Sequence, residues 1–249
     1  MSFKTKVAMV GFMGDVEKYP CHFQHRVGDE VIFDGEKFVG RLCSSVWPLV
    51  MPIVFDVHVA GPRYMPSLYY FPFWYAPPSI EDASLRKYDG LGFRNVLETR
   101  VEPPYHMANL TPKNAYRWPP HSERTVAQDP VVVCKDLRTA AVFKIEAIDV
   151  ADRGYYVPHY RRQMVILHKV LQNSDVAVNG LLGLFSKEES EGIYPALSQI
   201  FIEALVEELE LMGHVKIKDG KIFVTEKGKA KLEGFKKSLT AEEKEALKL

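Results

Sequence analysis

One stretch, Pro20-Cys21-His22-Phe23-Gln24-His25-Arg26-Val27-Gly28-Asp29-Glu30, gathers a thiol, two imidazoles and two carboxylates beside a glycine turn. Cys21 and His25 are four apart in a loop and can face one ion. The chain has three cysteines, and the other two, Cys43 and Cys134, would have to come in from neighbouring strands. Three thiolates and an imidazole form a soft, tetrahedral donor set that suits zinc or iron. The competing reading is burial: free cysteine is often a small core hydrophobe, no Cys-x-x-Cys is present, and Leu42-Cys43 and Val133-Cys134 sit comfortably in a core. His25 and Asp29 are also candidates for catalytic proton transfer, with Glu30 beside them. Against this, an aspartate before a strand commonly just bonds its own turn backbone. Both pairs of readings stay open at this level.

Several short elements must position these groups. Residues 5–12 alternate as a strand, and Glu30-Val31-Ile32-Phe33 reads as a second strand closed by the Asp34-Gly35 turn. Ser44-Ser45 would cap a short helix running into Pro48. Val131 to Cys134, a turn at Lys135-Asp136, and Ala140 to Ile148 read as a hairpin with a β-branched face. The expected fold class is α+β: a small mixed-sheet domain over residues 1–157, interrupted by an insertion at about 62–128.

That insertion is rich in proline and aromatics. Tyr64, Tyr69, Tyr70, Phe71, Phe73, Trp74 and Tyr75 fall close together, and Pro77-Pro78, Pro103-Pro104 and Trp118-Pro119-Pro120 follow. So many aromatics can bury enough surface to stay folded. They could line a pocket for a small aromatic or apolar ligand, with His58, Arg63, His106 and Arg117 as polar anchors. Equally they could form a homodimer interface.

Cys21, His25, Gly28, Asp29, Cys43, Cys134 and Asp136, with the strand Val142-Phe143-Lys144-Ile145-Glu146, resemble an uncharacterised family of small prokaryotic proteins. Its pattern is a cysteine shortly before His-x-x-Gly-Asp, a second cysteine, and a closing Val-x-Cys-x-Asp. The resemblance covers residues 5–60 and 129–150. Ser44 and Lys135 stand where the family tends to have proline. The resemblance implies a fold and lends no chemistry.

Past Gly154-Tyr155-Tyr156-Val157-Pro158 the pattern turns helical. Helices are expected over Tyr160–Gln172, within 176–190, and over Ala196–Met212 with Gly213 as C-cap. Asp219-Gly220 then joins two strands as a hairpin. A helix follows through Lys229 to Lys237, and Thr240 with Glu243 makes a capping box for a last one. Helices, a hairpin and a helix over 158–249 follow a winged-helix plan. In that fold the helix before the hairpin enters the DNA major groove. Here it carries Glu203, Glu207, Glu208 and Glu210 on the arc left by its apolar stripe, and no Lys or Arg. That arc would repel phosphates, which argues against DNA binding and for a protein-packing module.

Composition sets the outer bounds. The 249 residues are 47% apolar and 26% charged, as in a globular protein with a sizeable core. Formal charge is zero, with 18 basic and 18 acidic residues in 1–157 and 14 of each in 158–249, so neither part is drawn to a polyanion. The longest apolar run, Val46 to Phe55, is half a membrane span and holds two prolines. Sparse, odd cysteines and no apolar leader point to a reduced, cytoplasmic protein without membrane contact. No phosphate loop, nucleophile elbow or HExxH motif is present. The expected function is a small-molecule-binding protein or enzyme with its site at the Cys21–Asp29 loop, metal-dependent if the cysteines are ligands. The alternative is a non-catalytic regulatory or scaffold protein that works through the winged helix.

Overall fold

A computed structural model describes residues 2–64, 130–136, 138–173 and 175–249. Positions 65–128 of the expected insertion, including His106 and Arg117, lie outside the described residues. β1 (Phe3–Phe12), β2 (Glu30–Phe33), β3 (Phe38–Gly40), β4 (Val131–Val133) and β5 (Ala141–Val150) make one sheet in the order β3-β2-β1-β5-β4. Every described pairing in it is antiparallel, so the sheet is not mixed as the sequence suggested. Parallel neighbours need long crossover connections; here β1 and β5 run opposite ways through the centre.

Strand alternation puts Phe3, Thr5, Val7 and Met9 on one face with Ala141, Phe143 and Ile145. α1 (Trp47–Ala60) covers that face through Val50, Val54, Val57 and His58, which recur at helical spacing. α1 is longer than the short helix expected, and Val46, not a serine, is its N-cap. Pro52 sits inside it at an exposed position, where the carbonyl deprived of a donor can turn to water. α1 ends at Gly61 (φ +62), where a Cβ would lie 2.4 Å from the Phe3 ring. On the open face Lys6 bridges Glu30 (3.2 Å) and Glu146 (2.9 Å).

The remainder is helical: α2 (Val157–Gln172), a 3₁₀ run Val178–Leu184, α3 (Lys187–Glu191) and α4 (Gln199–Leu211). The hairpin β6 (Val215–Lys218) and β7 (Lys221–Val224), α5 (Glu226–Ser238) and α6 (Ala241–Leu247) follow. The helical region expected within 176–190 is a 3₁₀ run followed by a short α-helix, divided where Ser186 caps α3 in a capping box with Glu189. α2 is the axis of a second core, burying Tyr160, Met164, Ile166, Leu167 and Val170 against Ile202, Leu205 and Leu209 of α4 and Leu232 and Phe235 of α5. Phe3 and Val150 of the sheet belong to this second core, and Ala147 packs against both.

One residue of the acidic arc is misplaced by the sequence reading. Glu208 is 1% exposed, because α4 turns it onto α2, where Gln163 Nε2 donates to its Oε2 at 2.8 Å. Its Oε1 lies 3.6 Å from Arg63, which also pairs with Glu207 at 2.9 Å. Among the described residues no helix is long and apolar enough to cross a membrane.

Candidate functional site

The Cys21–Asp29 loop leaves the end of β1 and returns to β2. It is pinned where Gly28 N–H donates to Met9 O (2.8 Å) and Met9 N–H to Asp29 O (2.9 Å). Gly28 (φ +95) and Gln24 (φ +56) take the left-handed turns that fold it back, the second without a glycine's freedom. Asp29 Oδ2 accepts from Arg26 N–H (3.0 Å) and lies 3.1 Å from His25 Nδ1. The Arg26 amide, then His25, hold the Asp29 carboxyl below the usual carboxylate range. The backbone turn bond expected of Asp29 is present, and the same carboxylate oxygen also meets His25.

His25 is buried between Phe23 (ring centroids 4.7 Å apart) and the edge of Phe143 (5.3 Å). Its Nε2 accepts from the backbone N–H of Cys43 at 3.3 Å. With a donor facing Nε2, neutral His25 carries its proton on Nδ1, toward Asp29. A carboxylate on Nδ1 and a lone pair on Nε2 is the arrangement found behind metal-bound histidines.

Of the three free thiols, that of Cys43 belongs to the residue whose amide meets this ring, and Cys21 shares a surface depression with it. Cys43 is half-buried in the turn before α1, and its carbonyl receives Val46 N–H and Trp47 N–H. Cys134, just past β4, is buried, and its Sγ accepts from Asp136 N–H at 3.4 Å. Cys43 and Cys134 pack in the same core beneath α1. Burial pushes the Cys134 thiol up against the pull of the Asp136 amide, and negative charge on Cys43, Asp136 or Cys21 would push it further. Cys21 is half-buried and lines an open depression with Phe12, Val16, Pro20, Gln24, His25, Arg26 and Val27. His22 is exposed beside it, 3.3 Å from Arg138, whose guanidinium is held by Asp136.

Cys21, His25, Cys43 and Cys134 are thus brought to one end of the sheet from residues far apart in the chain. They do not form a closed coordination set: among the described residues, no group of three or more His, Cys, Asp or Glu stands ready to hold a metal ion. His25 Nε2 is engaged by the Cys43 amide instead. His58, expected as a pocket anchor, is buried with its Nδ1 2.6 Å from Phe3 O, and Arg63 is paired with α4.

The sequence reading passed over a second polar centre. His214 Nε2 meets Asp149 Oδ1 at 2.7 Å, and Lys231 Nζ meets Asp149 Oδ2 at 2.6 Å. Burial opposes the Asp149 charge, yet His214 and Lys231 hold its carboxyl far below the usual range. The pair is 65 residues apart, and no local spacing could have signalled it. Compared with known proteins, the chain matches no family model, no curated protein and no solved structure.

Proposed function

We propose that the protein is a small-molecule-binding protein or enzyme whose site is the Cys21–Asp29 loop, assembled around a thiophilic ion, zinc or iron. Cys21, His25, Cys43 and Cys134 would hold the ion, and Asp29 would orient the imidazole. The observation that carries this reading is His25: its Nδ1 faces a carboxylate and its Nε2 lone pair is turned to the cysteine-bearing segment. The thiols add a second argument. Burial, and then negative charge on Cys43 or Cys21, opposes the ionisation of Cys134, and a bound cation reverses that opposition by stabilising thiolates. Closing the sphere requires His25 to give up the Cys43 amide, at a cost of about 1 kcal/mol. Structural zinc binding is worth on the order of 10 kcal/mol, so the exchange favours metal. With His25 as ligand, its role as a free catalytic base lapses, and Asp29 becomes a positioning residue. The test is elemental analysis of untagged protein with Cys21→Ser, Cys43→Ser and Cys134→Ser variants. About one equivalent of zinc or iron is expected in the wild type and less in each variant. Metal-free wild type that also fails to take up added zinc sinks the reading.

A second reading concerns residues 158–249, taken as a winged-helix-like packing module that does not read DNA. What supports it is the occupancy of α4, since Arg63 holds both Glu207 and Glu208 of the helix that would enter a groove. A salt titration with random duplex DNA tests it. Appreciable affinity that falls steeply with salt would mean several phosphate contacts and a DNA-binding role. Light scattering separates a homodimer from a monomer.

A further inference from the structure

The loop that carries the proposed metal site also forms a wall for something else. Phe12, Val16, Pro20 and Val27 line the depression with apolar surface, and Cys21 and His25 lie among them. Its polar rim is Gln24 and Arg26. The cations near this end of the sheet are mostly engaged. Arg41 donates to the carbonyls of Phe23 (2.6 Å) and Gln24 and lies 4.7 Å from the Phe23 ring. Arg138 is held by Asp136, and Lys18 sits over the Tyr19 ring at 5.3 Å. Arg26 differs. Its backbone N–H is spent on Asp29, while its guanidinium has no acidic partner among the described residues. Asp29, the nearest acid in sequence, already receives that amide and the His25 ring.

From this arrangement we infer that the depression binds a small organic monoanion with a flat or branched apolar body, its carboxylate taken by Arg26. This rests on the reading of the loop as a small-molecule site and names the ligand's chemical class. The pairing follows from the two surfaces. A guanidinium offers a carboxylate two parallel N–H donors, which fixes the anion's direction as well as its charge. The four apolar side chains take the body, while a fully polar anion such as phosphate or sulfate could pair with Arg26 but would gain nothing from the apolar wall. A neutral amide of the same shape keeps the apolar contact and forfeits the charge-assisted pair.

Benzoate and benzamide are suitable probes, measured by saturation-transfer NMR on the full chain, both zinc-loaded and stripped with chelator. The expected result is benzoate binding in both states, at least tenfold tighter than benzamide. Arg26→Gln, a change at an exposed side chain, should lose most of that preference while its circular dichroism stays unchanged. Equal binding of the two probes overturns the inference, as does undiminished benzoate binding by Arg26→Gln. In the zinc-loaded protein alone, the latter result would assign the anion to the metal. Absence of benzoate binding in both states, with about one zinc bound, removes this inference and leaves the metal reading standing. Benzoate binding that depends on Arg26 in a protein that takes up no zinc does the reverse.

Discussion

Replacing Glu208 with glutamine should stabilise the protein at pH 8 and leave it nearly unchanged at pH 5. Glu208 is 1% exposed and its Oε1 has no hydrogen bond. Burial pushes its carboxyl from the ordinary 4.5 up to about 7, although Arg63 and Gln163 pull the other way. Because the folded value is raised, the protonated form suits the fold and the charged form does not. Stability contributed by this position is therefore full below about 4.5 and is lost as pH rises toward about 7. At 1.36 kcal/mol per tenfold change in proton affinity, the ceiling is about 3 kcal/mol. The Arg63 side chain is 34% exposed and can follow the charge, so about 1–2 kcal/mol is the expected share. Glutamine keeps an acceptor for Gln163 and forfeits only a 3.6 Å contact with Arg63, which retains Glu207 at 2.9 Å. Such a long, partly exposed contact is worth less than about 1 kcal/mol, so relief of desolvation wins. Urea unfolding of both proteins at pH 5, 6, 7 and 8 measures the difference. A variant no more stable than wild type at pH 8, or a gain that persists undiminished to pH 5, would refute the reasoning.

Asp149→Asn should cost about 2–4 kcal/mol, since it leaves buried His214 and half-buried Lys231 without their shared carboxylate. The lowered Asp149 value means this contribution is present above the ordinary 3.8 and lost only on further acidification, so wild type and variant should converge in acid-unfolding curves below that pH. Asp29→Asn should weaken zinc about 10–100-fold by releasing the His25 ring, read by competition with a chromophoric chelator; unchanged affinity would remove Asp29 from the site. Pro52→Ala should stabilise by about 1–2 kcal/mol by restoring a helical N–H, less than the full interior-proline cost because the unfolded chain is also freed. A lower urea midpoint for this variant would show that the proline is needed where it stands.

What the sequence revealed were features decided within a few residues. Asp219 and Gly220 take φ of 52° and 75° in the expected hairpin, Gly213 turns at φ 72°, and Thr240 and Glu243 close their capping box. The His25–Asp29 contact belongs to the same class, because a loop of four residues brings both together. Features decided by partners elsewhere stayed hidden. Glu208 lies on the α4 arc that a helical wheel assigns to water, and only the approach of α2 and Arg63 buries it. Pro52 reads as a helix breaker, and only its exposed placement lets α1 continue. The three cysteines and His25 were grouped by their types alone, and of the cysteines only Cys43 is seen to bond the ring, through its backbone N–H. Whether their sulfurs close around an ion depends on loop positions that no spacing encodes.

The pairing of β1 with β5 has a consequence for how the chain is made. β1 ends at Phe12 and its central partner begins at Ala141, so the first strand waits for the last of the sheet. At bacterial-to-eukaryotic synthesis rates that wait is roughly seven to thirty seconds. Until then β1 has only β2 on one side, and Phe3 has neither Val150 nor α2 to cover it. Chains stalled before residue 141 should be cut readily by protease within β1, and chains released after α5 should not. Long-range closure of this kind is slow to nucleate. A nascent chain therefore carries β1 with one edge unpaired for about half of its synthesis, even after α1 is available to cover its apolar face, and its yield in the cell depends on whatever shields that edge in the interval.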